Sequence, residues 1–186
     1  QCFDLKAVES IRTNPRHQEI SAAHYASPSS KSAVVDSLDV VILGATEIDT
    51  DFNVNVHTDS NGYIMGGSGG HADTAAGSKL AIIIAPLVRA RLPLIVDRVT
   101  CITTPGHTVD VVVTQRGIAV NPNRPELKEK LVKAGLPVVE IDELKAIAEK
   151  ITGVPQPIKL DEERVVAKVL YRDGTVIDTI KKVVTQ

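Results

Sequence analysis

The chain has 186 residues, 43% of them apolar and 24% charged, and its 21 basic and 23 acidic residues leave a formal net charge of -2. That suits one ordinary domain with a packed core, and it is too little positive charge for a protein that binds nucleic acid mainly by electrostatics. Aromatic residues make up only 3%, against a base-stacking surface, and the longest apolar run, Leu80 to Val88, falls well short of the roughly 20 residues a membrane-spanning helix takes. Neither a nucleic-acid nor a membrane partner is expected. Asp4, Lys6 and Glu9 interrupt the N-terminus, so no signal-peptide core is expected there. Cys2 and Cys101 are far apart and match no metal-ligand spacing; they read as two reduced thiols in a cytoplasmic protein that needs no metal. A chain that begins at Gln1 reads as a piece of a longer one.

Leu5, Val8 and Ile11 recur at helical spacing from Asp4 to Thr13, and Asn14-Pro15 ends that helix. Ser27 to Ser30 is a loop. Val40 to Leu43 and Leu80 to Ala85 are continuous apolar runs of strand length, the pattern of a parallel sheet covered by helices on both faces. Asn53 to His57 alternates polar and apolar residues; the turn Asp59 to Gly62 and a return strand Tyr63 to Met65 complete a hairpin signal. Asp110 to Thr114 and Gly117 to Val120 are two further strands. Charge density then rises: residues 1–123 carry 9 basic and 12 acidic residues, and residues 124–186 carry 12 and 11. The second stretch reads as a helix from Pro125 to Ala134, a helix from Asp142 to Thr152 with Asp142 as N-cap, and a hairpin of Arg164 to Tyr171 with Thr175 to Lys182 around Asp173-Gly174. The expected fold is α/β, with residues 1–123 as the core and residues 124–186 completing or extending it.

Two polar clusters are candidates for chemistry. Glu47, Asp49 and Asp51 alternate after the first core strand and share a face if extended; they suit a general base, hydrogen-bond acceptors for a substrate or, less well, a cation site, and equally a solvated strand edge. Asn53 and Asn55 follow in the same register, facing either a cleft or water. The second cluster is Gly66, Gly67, Ser68, Gly69 and Gly70, followed by His71 and Asp73. Glycine spacing of this kind lets backbone N–H groups approach a phosphate or the oxyanion of an attacked thioester, or serves only as a tight turn. No Gly-Lys-Ser/Thr follows, so it is not a Walker loop. His71 and Asp73 either orient a ligand or cap a helix. Arg89, Arg91 and Arg98 are possible carboxylate or phosphate binders or exposed charges, while His17, His24, His57 and His107 show no pairing pattern and read as surface or satisfied histidines.

The stretches VILGATEIDTDFNVNV (Val41 to Val56) and MGGSGGHADTAAG (Met65 to Gly77) together resemble the citrate lyase alpha chain family, and VDRVTCITTPG (Val96 to Gly106), GIAVNP (Gly117 to Pro122) and Gly135 to Leu144 continue the resemblance. Gly44 to Asn55 is similar to the Gly-Ala-x-Gln/Glu-Val-x-x-x-Gly-Asn-Val-Asn pattern of CoA-transferases, with Phe52 in place of that pattern's glycine. The resemblance implies a CoA-transferase-like α/β domain with a mostly parallel sheet, appended helices and a C-terminal β-hairpin, here the C-terminal part of a longer alpha chain. It implies transfer of a CoA-like acyl carrier from acetate to citrate, through a ternary complex and a mixed anhydride, with acetyl-CoA or the prosthetic group of an acyl carrier (gamma) subunit as thioester. A beta subunit would cleave the citryl product, and the alpha chain would be a homo-oligomer completed by its own N-terminal part. On that reading Glu47, Gly69 and Gly70 are the catalytic candidates. Gly66, Gly67, Ser68, His71, Asp73, Asn53 and Asn55 are thioester or CoA contacts, and Arg89 and Arg98 are citrate contacts. No Glu stands in the Glu-x-Gly or Glu-Asn-Gly context of covalent CoA-transferases. A non-catalytic docking module, or an acyl-CoA hydrolase on the same fold, are the other readings.

Overall fold

The structure, a computed structural model, describes residues 4–184; Cys2 lies outside them. Helix α1 (Leu5–Thr13) starts where the Asp4 carboxylate accepts the N–H groups of Lys6 and Ala7, which satisfies donors a helix start leaves unpaired. A short α2 (Ala22–Ala26), capped by Ser21, follows in a stretch with no clear helical periodicity. Strands β1 (Val41–Leu43), β2 (Glu47–Asp49) and β3 (Val54–Asn55) come next, then α3 (His71–Gly77), β4 (Ala81–Ile84), β5 (Val88–Arg89), β6 (Leu92–Pro93) and β7 (Ile95–Val96). Strands β8 (Val111–Thr114) and β9 (Gly117–Val120), helices α4 (Pro125–Lys133) and α5 (Ile141–Thr152), and the long strands β10 (Leu160–Leu170) and β11 (Val176–Val183) complete the chain.

The main sheet runs β1-β4-β8-β9, parallel from β1 to β8 and antiparallel at β8–β9. One face, built on Leu43, Ile83 and Val112, packs into the principal core with Ile48, Leu87, Leu94, Ile95, Leu144 and Ala148. The expectation of helices on both faces does not hold within this chain: Ile42 is 61% exposed and Ile84 49% exposed. The two apolar runs therefore mark a sheet with an open patch at Ile42 and Ile84: α3 touches β1 and β4 and α5 packs with β6, β7 and β9, yet these two side chains stay exposed among the described residues. A second sheet, β3-β2-β7, sets Ile48 opposite Ile95 in a parallel pair and opposite Val54 in an antiparallel one.

Other boundaries differ for local reasons. Helix α5 begins at Ile141, not Asp142, because Glu140 is the N-cap and exchanges a capping box with Glu143. The expected return strand Tyr63 to Met65 reduces to one bridge, Thr58 opposite Ile64, and a Met65 N–H bond to the His57 carbonyl. Strands β5 and β6 form an unforeseen tight hairpin, with Ala90 and Arg91 both at positive φ, where Asn or Gly is usual. Phe52 also sits at φ 67, buried, at the position where the CoA-transferase pattern has glycine. A left-handed backbone explains that glycine, and core burial of the ring holds Phe52 there. Among the described residues, no helix is long and apolar enough to cross a membrane.

Candidate functional site

The two polar clusters end in opposite environments. Glu47 is 4% exposed and Asp49 2%, which rules out a solvated strand edge for both. Glu47 Oε2 accepts the Asn55 amide at 3.0 Å and the Thr100 N–H at 2.9 Å, and Oε1 accepts the Thr100 hydroxyl at 3.2 Å. Asp49 accepts the Asp51 and Asn53 N–H groups, the Asn53 side-chain amide and the Val99 N–H. Burial pushes the Asp49 carboxyl up from its ordinary range, and the bonds from Asn53 and Val99 oppose that shift. Asn55 is fully buried: it donates to Glu47 and Thr58 and accepts the N–H groups of His57 and Thr58. Asn53 holds Asp49 on one side and the Gly106 N–H on the other. A Cβ at Gly106 would collide with the Asp51 carbonyl, so the loop before β8 locks against this turn. Of the acidic set only the Asp51 side chain is exposed. Glu47, Asn53 and Asn55 thus belong to one hydrogen-bonded lattice and do not line the cleft beside the glycine loop.

The glycine loop is open. A Cβ built on Gly66 or Gly67 would meet no protein atom within 4 Å, nor would one on Gly69, which holds φ +56. Helix α3 starts at His71 with Gly70 as its N-cap, and Thr74 N–H and hydroxyl both bond the Gly70 carbonyl at 2.8 Å. The His71 ring does not face the loop's open side. Its Nε2–H donates to the Gly44 carbonyl at 2.9 Å, which leaves Nδ1 to accept from the Thr104 hydroxyl at 2.7 Å. Burial lowers its pKa, with the Gly44 bond opposing, so a neutral ring ties α3 to the end of β1.

Beside the loop lies a cleft of about 450 Å³, bordered by Tyr25, His57, Ser68, Gly69, Gly70, Asp73, Thr103, Tyr171 and Arg172 among others. Ser68, Gly69, Gly70 and Asp73 were picked out by the residue pattern. Arg89 and Arg98 were too, but both are exposed on the β5–β7 side of the chain and neither borders the cleft. Its cation is Arg172, from the turn between β10 and β11. That hairpin lies across the loop before β8: Val169 and Ile180 pack on Cys101, and the Ile102 N–H donates to Asp178 at 2.8 Å. Arg172 Nε lies 3.5 Å from Asp73 Oδ1, a charge contact rather than a hydrogen bond, and Nη2 reaches the Ala26 carbonyl at 3.4 Å. Nε is buried without a hydrogen-bond partner among the described residues. A guanidinium carries five N–H donors, so most of its capacity is unspent. Burial raises the Asp73 pKa, and Arg172 pulls it back. His57, read as a surface or satisfied histidine, also borders the cleft; its Nδ1 is 2.8 Å from the Thr103 hydroxyl. The signal for both residues was absent locally, since each is placed by a distant segment. Cys101 is no nucleophile: burial, then Asp178 and Glu47, push its thiol up to about 12.

A mixed α/β chain with a parallel-stranded sheet, an open glycine loop and a cationic cleft is the class that fold and site define. Within that class the sequence is specific: the family model for the citrate lyase alpha subunit (CitF) matches residues 1–183, and the chain belongs to that family. It is 57% identical to the citrate lyase alpha chain of Escherichia coli (strain K12) over 98% of this chain and 36% of that one, and 56% identical to that of Klebsiella pneumoniae over the same shares. The crystal structure of a citrate lyase alpha subunit from Streptococcus mutans, in complex with citrate, superposes with a TM-score of 0.91 at 50% identity, covering 96% of this chain and 35% of that one. The chain therefore spans 36% of the length of the curated relatives it matches.

Proposed function

We propose that this chain forms part of a citrate lyase alpha subunit and builds one wall of a site where a CoA-like carrier passes from acetate to citrate. Acetyl-thioester and citrate become citryl-thioester and acetate. The observation that carries this reading is the glycine loop. Glycine at Gly66 and Gly67 meets no packing demand from the protein, which is the condition for a backbone that a thioester substrate approaches closely. Loop N–H groups face the developing oxyanion, Arg172 offers its unspent donors to a citrate carboxylate, and the protein supplies proximity rather than a nucleophile. Acetyl-CoA, or the prosthetic group of an acyl carrier subunit, supplies the thioester. A beta subunit, the remainder of the alpha chain and a second alpha copy are the expected partners, in the cytoplasm.

The test is acetyl transfer from acetyl-CoA to citrate by the complete alpha chain, comparing Gly67→Val with the parent. Gly67 has neither a positive φ nor a neighbour within 4 Å, so the variant should keep its thermal midpoint and lose at least about tenfold in kcat/KM. A folded variant with parental turnover would place the reacting carbonyl elsewhere.

A further inference from the structure

The cleft holds one more polar group whose hydrogen-bonding state the structure decides. Thr103 is 2% exposed, and its hydroxyl has two partners among the described residues. One is the Val56 N–H at 3.0 Å, which can only donate; the other is His57 Nδ1 at 2.8 Å. A hydroxyl can accept twice, but its own proton has no other acceptor among the described residues and Thr103 is buried, so that proton is satisfied only if it goes to Nδ1, which puts the imidazole proton on Nε2. Nε2 makes no hydrogen bond within the described residues, yet it is not among the buried unsatisfied atoms; it reaches solvent from a residue that borders the cleft beside Ser68, Gly69 and Gly70. The backbone is clamped on both sides, since the His57 N–H donates to Asn55 Oδ1 at 3.0 Å and its carbonyl accepts from Met65 at 2.8 Å. Burial also lowers the His57 pKa, which keeps one ring nitrogen free to accept from Thr103. His71, by contrast, spends both ring nitrogens on Thr104 and Gly44.

We infer that His57 is a catalytic hydrogen-bond donor: its Nε2–H points at the acyl carbonyl oxygen of the thioester substrate, and Thr103 is the positioning residue that holds the ring in that tautomer. The inference rests on the transfer reading above. In that reaction a citrate carboxylate oxygen bonds to the acyl carbon, and the C=O π pair moves onto the carbonyl oxygen. The Nε2–H bond strengthens as that charge grows. When the pair re-forms C=O, the C–S bond breaks and the thiolate leaves with its electrons. Attack of the same thiolate on the citryl carbonyl of the mixed anhydride then releases acetate. No proton leaves His57 at any step, so the ring acts as a fixed dipole rather than a base.

The complete alpha chain, assayed with acetyl-CoA and citrate, tests this. His57→Ala is expected to lower kcat about 100- to 1,000-fold, the loss typical of one missing oxyanion donor, with acetyl-CoA binding by calorimetry little changed. His57→Gln, whose amide N–H reaches toward the Nε2 position, should recover much of that loss, and His57→Asn, whose amide mimics Nδ1, should not. Thr103→Val should lower kcat by about tenfold with KM unchanged, the signature of a ring that is present but mispositioned. Parental turnover in folded His57→Ala overturns the inference and leaves the transfer reading standing. So does equal loss in the folded Gln and Asn variants. A folded parental chain that transfers no acetyl group overturns both.

Discussion

The acidic cluster and the glycine loop are both polar candidates in the sequence, and the fold treats them oppositely. In the lattice of Glu47, Asp49, Asn53 and Asn55, side-chain donors and acceptors are matched by partners inside the chain. Around the loop, among the described residues, Arg172 Nε and the Nε2 of His57 have no hydrogen-bond partner and the space above Gly66 and Gly67 holds no protein atom. Buried polar groups that are fully paired hold a fold together, whereas an unpaired group beside a cavity is free to meet a ligand. Hydrogen-bond accounting, rather than polarity, separates structure from site in this chain.

That contrast breaks if lattice residues matter only for turnover, or cleft residues only for stability. The largest effect is expected from Asn55→Ala, which leaves Glu47, Thr58 and two backbone N–H groups short of a partner at a fully buried position. It should cost about 2–4 kcal/mol in urea denaturation; a loss of transfer with full stability would move Asn55 into the site. Arg172→Gln should act the other way. The KM for citrate should rise about tenfold, or about 1.4 kcal/mol, while stability changes by about 1 kcal/mol or less, since Arg172 Nε makes no hydrogen bond among the described residues and the Nη2 bond to Ala26 is long at 3.4 Å. An unchanged citrate KM would reduce Arg172 to a strut between hairpin and α3.

The smallest effect sharpens the role of His71. Its folded pKa lies below the ordinary 6.5, so the unfolded chain takes up the proton more readily. Its contribution is complete above about pH 6.5 and declines as pH falls from there toward the folded pKa. His57 leans the same way. Denaturation midpoints measured across this window should fall with acid in the parent and fall less in His71→Gln. An equal slope in both would assign the acid loss to other groups.

Apolar runs and turn residues announced themselves locally. Strands β4, β8 and β9, helices α1 and α4, and the β10–β11 hairpin all lie where run length, Pro at N1 or Asp-Gly put them, because those signals act over a few residues. The burial of strand β2 was hidden because its alternating carboxylates look like a surface edge, and their pairing takes Val99 and Thr100, some 50 residues away, together with Asn53 and Asn55. The Ala90-Arg91 turn was hidden by residues that rarely adopt positive φ. Of the candidate site, the glycine loop and Asp73 were readable and the cleft's histidine and arginine were not.

The sequence alone determined the family, the α/β class and the presence of a glycine loop able to approach a substrate, since these reside in contiguous residues and their spacing. Tertiary structure decided which polar cluster is consumed and which remains available. Thr100 reaches Glu47 across 53 residues, Thr103 meets His57 across 46, and Arg172 reaches Ala26 across 146. Whether a polar side chain is satisfied depends on partners that the chain delivers from that far away, and no local pattern carries that information.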